Sequence, residues 1–236
     1  MDLKETEILR DAIHTHWYYK SKAKALKKLI RVNPSIILDI GAGSGYFSKF
    51  LLKNTSSTEA WCVDIAYNEE VDAKENGKTI HYRKQIGSCN CDLVLLMDVL
   101  EHVDDDAGLL SEYVQKVSSG SAFIISVPAF PFMWSGHDEY LEHRRRYTLP
   151  QIEAVICNAG LVLENSAYYF GAVFPLAALS RLAARMFKRT SRPQSQLKKH
   201  STMVNSTLKA ACDVELSFFQ KNKVIGLTAF CMAHKP

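Results

Sequence analysis

The sequence predicts an α/β protein: an open, mostly parallel sheet with helices on both faces. Three observations carry that reading. Apolar runs of about five residues alternate with segments of helical period. The first run ends in a glycine-rich turn that opens a helix. No internal repeat or long low-complexity tract interrupts the alternation.

The elements follow in order. Leu9, Ile13, Trp17, Ala23, Leu26 and Ile30 recur at spacings compatible with one helical face, and Pro34 follows the basic end of that segment, which makes a leading helix. Residues 36–40, 60–64, 80–84, 93–97 and 122–127 read as five successive strands. The interval between Lys84 and Leu93 is too short for a helix. A long loop, 128–147, precedes Thr148, Leu149, Pro150 and Gln151, a capping box with proline in the first turn; the helix it starts stops at Gly160. Residues 161–169 and 226–234 read as two further strands. The roughly 55 residues between them need structure of their own, so helices are expected near 171–187 and 204–220, joined by the polar, basic stretch 188–201. The expected organisation is one domain over 1–236, with a helical cap at 1–33, a sheet core at 34–169 and 223–236, and a basic helical insertion at 170–222.

With 236 residues, 47% apolar and 23% charged, the chain has the composition of a soluble globular protein with one substantial core. Its first 20 residues hold no short apolar block behind a basic stretch, so neither a secretion signal nor a transit peptide is expected and the cytoplasm is the expected compartment. The six cysteines, of which only Cys89 and Cys91 are close, read as buried free thiols. The net charge of +4 is local: between Asn165 and Cys212 there are eight Lys and Arg and no acid, which leaves the remainder at −4. Such a segment is a solvated face or attracts an anionic substrate, a nucleic acid or an anionic membrane.

In the first turn, Gly41 and Gly43 permit close approach of a ligand to the main chain, and Gly45 opens the next helix. The arrangement suits a nucleoside-like ligand. The dinucleotide pattern GxGxxG is similar, but the third glycine falls one place early and Tyr46 stands where that pattern wants glycine. Asp39, just before the turn, suits a cationic ligand and would repel a pyrophosphate. Asp64, 19 residues after Gly45, ends the second strand where an acid accepts hydrogen bonds from ribose hydroxyls. Ile65 would then lie against the base, and Gln85 would reach its edge. The fourth strand runs into Asp98, Glu101 and His102, polar groups at the carboxyl edge of the sheet, while Asp104 to Asp106 read as helix-capping carboxylates. Glu101 and His102 are either site residues or structural hydrogen-bonding groups.

Leu38 to Gly45 (LDIGAGSG), Asp64 and the DVLEHV run from Asp98 to Val103 together resemble the class I S-adenosylmethionine-dependent methyltransferase family over about 34–127. The resemblance implies a Rossmann-like seven-stranded sheet in the order 3-2-1-4-5-7-6 with the last strand antiparallel, S-adenosyl-L-methionine as cofactor, and Asp39, Gly41, Gly43 and Asp64 at cofactor-binding positions. DVLEHV is similar to the ubiquinone-type and small-molecule O-methyltransferase branch. The run from Val127 to Thr148 and the His-Trp-Tyr-Tyr at 16–19 resemble bacterial methyltransferases of glycan and natural-product pathways. These likenesses imply methyl transfer to a small molecule or a glycan or lipid intermediate, at oxygen, with a histidine base.

Direct displacement needs the acceptor aligned with the sulfonium carbon and, for a hydroxyl, its proton removed. His137 is the expected base with Asp138 orienting it; His102 and His16 compete for the role. Arg144 and Arg146 suit a carboxylate or phosphate on the acceptor, with Tyr147 beside them, or form surface ion pairs. His16, Trp17 and Tyr19 suit an acceptor-side cap, although packing against the sheet explains Trp17 as well. No metal is expected, because the spacing of the acids and histidines matches no standard pattern and the adjacent arginines would repel a cation. Residues 167–187 are apolar but too short and broken by Pro175 to span a bilayer; a lid over the acceptor site is expected, with peripheral membrane contact through 167–200 as the second possibility. A nicotinamide-dependent oxidoreductase and a non-catalytic cofactor-binding regulatory module remain alternatives. No nucleic-acid partner is expected, since no Asn-Pro-Pro-Tyr-type run follows the fourth strand.

Overall fold

The computed structural model describes residues 8–186, 195 and 200–236. Its centre is an eight-stranded sheet with strands β1 (Ile36–Ile40), β2 (Glu59–Val63), β3 (Val71–Glu75), β4 (Lys78–Arg83), β5 (Leu93–Met97), β6 (Ala122–Pro128), β7 (Val162–Tyr169) and β8 (Thr228–His234). Their spatial order is β3-β4-β2-β1-β5-β6-β8-β7. β4, β2, β1, β5 and β6 run parallel, and β8 is antiparallel to both β6 and β7. With β3 set aside, this is the order implied by the resemblance.

β3 is a correction to the seven strands expected. It pairs with β4 as an antiparallel edge hairpin whose turn is Asn76-Gly77, both at positive φ (53° and 77°). Two left-handed residues match the right-handed twist of the flanking strands, so an Asn-Gly pair there is a strong hairpin signal. The polar run VDAKE hid the strand: an exposed edge has no buried face to impose apolar periodicity.

The central strands are buried on both faces, and alternate residues feed two cores. Ile37, Leu93 and Leu95 point into one core, which also holds Leu26, Phe47, Leu51 and Phe219. Leu38, Val94 and Leu96 point into the other, with Leu110, Val114, Ile152 and Ile156. Each fully buried side chain of this size contributes about 1.5–3 kcal/mol. The helices that supply these faces are α1 (Trp17–Leu29) and α2 (Tyr46–Asn54) for the first core, and α3 (Asp106–Lys116) and α5 (Leu149–Asn158) for the second. The Asp105 side chain caps α3 by accepting from the Gly108 amide. The Thr148–Gln151 capping box starts α5, and Gly160, at φ 89°, follows its end.

The leading helix is broken. A 3-10 turn (Arg10–His14) ends at Thr15, and α1 starts after an extended His16. Asn205 holds the break: its Oδ1 accepts from the Trp17 amide at 2.8 Å and its amide donates to the Thr15 carbonyl at 3.0 Å. A capping group 188 residues away is invisible to local periodicity.

The loop after β6 carries a 3-10 turn (Pro131–Met133) and the short helix α4 (Gly136–Tyr140). Between β7 and β8 stand α6 (Phe174–Met186) and α7 (Thr202–Glu215). The second ends earlier than expected, with a 3-10 turn at Phe219–Lys221. The expected junction at 188–201 lies outside the described residues except for Ser195, His200 and Ser201. Cys62, Cys91, Cys212 and Cys231 are buried free thiols as expected, Cys89 is half-buried and Cys157 is exposed. Among the described residues no helix is long and apolar enough to cross a membrane.

Candidate active site

The carboxyl ends of β1, β2, β5 and β6 form one edge of the sheet, and the candidate residues lie along it in two halves. The first half is the glycine turn. Gly41 has φ 62°, and a Cβ added there would stand 2.7 Å from a Val99 methyl, so both backbone shape and space require glycine. The Gly43 amide donates to Asp64 Oδ2 at 2.9 Å, and the Ala66 amide donates to Oδ1 at 2.9 Å. The Tyr67 hydroxyl donates to the Gly43 carbonyl at 2.7 Å. Asp64 therefore ties the turn to the end of β2, and its carboxylate keeps further acceptor capacity. Gly45, at φ 69°, is the N-cap of α2.

Asp39 is buried beneath the turn, where its Oδ2 accepts from Ser48 Oγ at 2.7 Å. Burial pushes its carboxyl up to about 6, against the Ser48 hydrogen bond, which favours the charged form. Ile65 is 91% exposed beside the turn, and Gln85 is exposed after β4.

The second half is a cavity of about 210 Å³ at the ends of β5, β6 and β8. Trp17 and Tyr18 of α1 form one wall. Asp98, Glu101 and His102 form the floor after β5, and His137, His143 and Arg146 come from the loop after β6. Val173, Ala177 and Arg181 close it from α6 and the residues before it.

Asp98 stands at φ 58°, a conformation uncommon outside glycine and found where function or packing holds it. It is paired with the fully buried Lys22. Burial works against both charges; for each, the partner's charge and hydrogen bond prevail, so the lysine pKa lies above and the aspartate pKa below its ordinary value. Glu101 is completely buried, and neither of its carboxylate oxygens has a hydrogen-bond partner among the described residues. Burial, with the nearby Asp98 charge, pushes its pKa well above the usual carboxylate range.

The loop histidines and arginines divide. Asp138, fully buried, accepts from Arg146 Nε at 2.6 Å and pairs with His143 Nδ1 at 3.0 Å through Oδ1, while Oδ2 accepts from the Ser135 amide at 2.9 Å. Burial opposes the Asp138 charge, and His143 and Arg146 hold its pKa below the usual range. The expected partnership of Asp138 with His137 is replaced in these bonds by His143 and Arg146. His137 lines the cavity, and burial pushes its pKa down to about 4, so its imidazole is neutral at ordinary pH.

Arg144 turns outward to Asp104 at 2.6 Å and to the His102 carbonyl at 2.9 Å, which corrects its expected place in the acceptor pocket. Tyr147 is also corrected: its hydroxyl is buried on Asp106 at 2.7 Å and on the Leu100 carbonyl, where it packs the second core. Arg146 turns inward, with Nη1 on the Ala129 carbonyl at 2.9 Å. Trp17 is a cavity wall, while Tyr19 packs in the core against Tyr46 and Phe47. His16 is buried, with its ring 5.8 Å from that of His200.

Sequence reasoning left Glu101 open between a site and a structural role, and missed His143 and Arg181 as cavity groups and Lys22 as the partner of Asp98. Lys22 had a signal: it sits on the buried stripe of α1, four residues from Tyr18 and from Leu26, where an unpaired lysine would be costly.

A family profile described as a methyltransferase domain matches residues 14–166. No curated protein matches the chain. Among solved structures, the chain is similar to one from the complex between the Haloferax volcanii Trm112 methyltransferase activator and a methyltransferase, with TM-score 0.60 and 13% identity over 99% of this chain and 94% of that one. It is similar to a sarcosine dimethylglycine methyltransferase from Galdieria sulphuraria, with TM-score 0.54 and 15% identity over 92% and 86%. It is also similar to phosphoethanolamine N-methyltransferase 2 of Haemonchus contortus, solved with S-adenosyl-L-methionine, with TM-score 0.54 and 17% identity over 93% of this chain and 53% of that one. At these identities the structures share the fold, whereas the profile spans well over half of the sequence: the chain belongs to the methyltransferase domain family and is a class I S-adenosylmethionine-dependent methyltransferase.

Proposed function

We propose that the protein methylates a hydroxyl oxygen of a small anionic molecule or of a glycan or lipid intermediate, with His137 as the base. The observation that carries this reading is the pairing of a neutral, half-buried histidine with inward-facing Arg146 and Arg181 in one cavity beside Asp98. When bound, S-adenosyl-L-methionine supplies a methyl group on a positively charged sulfur. Asp64 accepts the ribose hydroxyls, Asp39 provides negative charge beneath the turn, Ile65 lies against the adenine and Gln85 reaches its edge. Arg146 and Arg181 bind the anionic group of the acceptor. His137 takes the hydroxyl proton as the oxygen–carbon bond forms and the carbon–sulfur bond breaks with its electron pair on sulfur. His102, on the cavity floor, is the alternative base. The insertion at 170–222 acts as a lid through α6.

The test is calorimetry with S-adenosylmethionine, S-adenosylhomocysteine and NADH, followed by a search for acceptor-dependent release of S-adenosylhomocysteine. Binding of the adenosyl compounds with product formation is expected. Binding without product from any acceptor would favour a regulatory module, and NADH selectivity would overturn the cofactor assignment.

A second observation bears on where the acceptor comes from. Leu176, Leu179 and Leu182 form an exposed row on α6, 54–66% accessible, in the segment with eight basic and no acidic residues. An apolar ridge in a segment of basic sequence suits an anionic bilayer surface, and hence a lipid-linked acceptor entering beneath α6. Cosedimentation with phosphatidylglycerol vesicles but not phosphatidylcholine vesicles is expected, and a Leu179→Glu variant that still cosedimented would remove this reading.

A further inference from the structure

We infer that Glu101, His102 and His143 form a binding site for one divalent transition-metal cation in the wall of the acceptor cavity. One ligand atom from each lies within 4.8 Å of the others. Tetrahedral donors at about 2.0–2.2 Å from a common ion stand about 3.3–3.6 Å apart, so closure needs inward shifts of at most about 0.8 Å per donor.

Three further observations point to a cation. Glu101 is completely inaccessible, lines the cavity and has both oxygens without a hydrogen-bond partner among the described residues, a costly state for which a cation compensates. The Asp138 carboxylate meets His143 at Nδ1, which fixes a tautomer with the Nε2 lone pair available, the arrangement that supports metal-bound histidines. The neighbouring charges are largely compensated. Lys22 is held by Asp98 and Arg146 by Asp138, while Arg144 and Arg145 turn away to Asp104 and Asp106. Arg181, whose Nη1 donates to the Met133 carbonyl, also lines the cavity. The objection raised by the arginine run therefore disappears with its geometry.

Two imidazoles and one carboxylate suit Mn²⁺, Fe²⁺, Co²⁺ or Zn²⁺ better than Ca²⁺ or Mg²⁺. Three protein ligands leave positions open toward the cavity, where a bound hydroxyl would lose its proton more readily. That role rests on the proposed methyl transfer; binding of the ion does not.

Tag-free protein stripped with chelator would be titrated calorimetrically with MnCl₂ and, separately, ZnCl₂, with no cofactor or acceptor present. One site per chain is expected, weakened at least ~10-fold in both Glu101→Gln and His102→Asn, with circular dichroism and thermal melting to show that each variant is folded. Absence of binding in the wild type, or equal binding in both folded variants, would overturn the inference. S-adenosylmethionine titrated into the same stripped protein separates the two readings: retained cofactor binding without metal binding removes only the metal site, and the reverse removes only the cofactor assignment.

Discussion

The two halves of the sheet edge are built in opposite ways. The cofactor half is made from neighbours in sequence: the bonds from Ser48 to Asp39, from Gly43 to Asp64 and from Tyr67 to Gly43 span 9, 21 and 24 residues. The acceptor half is assembled from distant segments, with Lys22 and Asp98 separated by 76 positions and Arg181 and Met133 by 48. The first is shaped by its backbone and the second by charges buried in pairs. Substitutions in the first half should therefore change affinity, and substitutions in the second should change stability and rate.

The largest effect expected is on stability, in the acceptor half. Lys22→Met leaves the Asp98 carboxylate without its partner and should cost about 3–5 kcal/mol in urea unfolding. The double variant Lys22→Met with Asp98→Asn keeps a residue tolerant of positive φ and removes the stranded charge, so most of the loss should return. If the single variant were as stable as the wild type, the buried pair would not hold α1 against β5.

The rate comes next. His137→Ala should slow methyl transfer by about 10²–10⁴-fold, the usual range for removing a general base, while calorimetry shows unchanged cofactor binding. Because burial holds the imidazole near 4, the wild-type rate at saturating cofactor should not fall as pH drops through 6.5, where an ordinary histidine would protonate, and an acid limb due to this group should appear only near 4. Full turnover by the His137 variant would move the role to His102.

In the cofactor half, Asp64→Ala removes the acceptor for two amides and, in our reading, for the ribose diol. Affinity for S-adenosylhomocysteine should fall about 10–100-fold, with a smaller loss of stability than in Lys22→Met. An equal loss of stability in this variant and in Lys22→Met would erase the distinction between the halves.

The same distinction governs what the sequence made legible. Strands β1, β2 and β5 and the glycine turn are written in short contiguous runs, because buried strands must be apolar and a left-handed turn selects glycine; their order was implied by the family resemblance alone. β3 was missed because an edge strand is polar, although Asn76-Gly77 marked its hairpin. The three consecutive arginines show the limit for the acceptor half: Arg144 faces Asp104 and Arg146 faces Asp138, and nothing in the run itself assigns direction. Glu101 and His143, 42 positions apart, meet only because the loop after β6 folds back over the end of β5. Such meetings depend on tertiary packing, which has no local period.

The effect most specific to the cofactor half is its pH dependence. Asp39 has a folded pKa of about 6 against 3.8 for the free side chain. The folded protein therefore holds this proton more tightly than the unfolded chain, and this group's contribution to stability falls as pH rises from about 4 to 6. Above pH 6 the buried charge costs on the order of 3 kcal/mol, so Asp39→Asn should raise the melting temperature of the ligand-free protein at pH 7.5. Binding reverses the preference, because a cationic cofactor over the turn favours ionised Asp39 and expels its proton. Affinity for S-adenosylmethionine should be level above pH 6 and weaken by up to ~10-fold for each pH unit below it, whereas the Asn variant binds more weakly at neutral pH and shows no such slope. A wild-type affinity that did not change between pH 5 and 7 would mean that Asp39 supports the turn through Ser48 alone and offers no charge to the ligand.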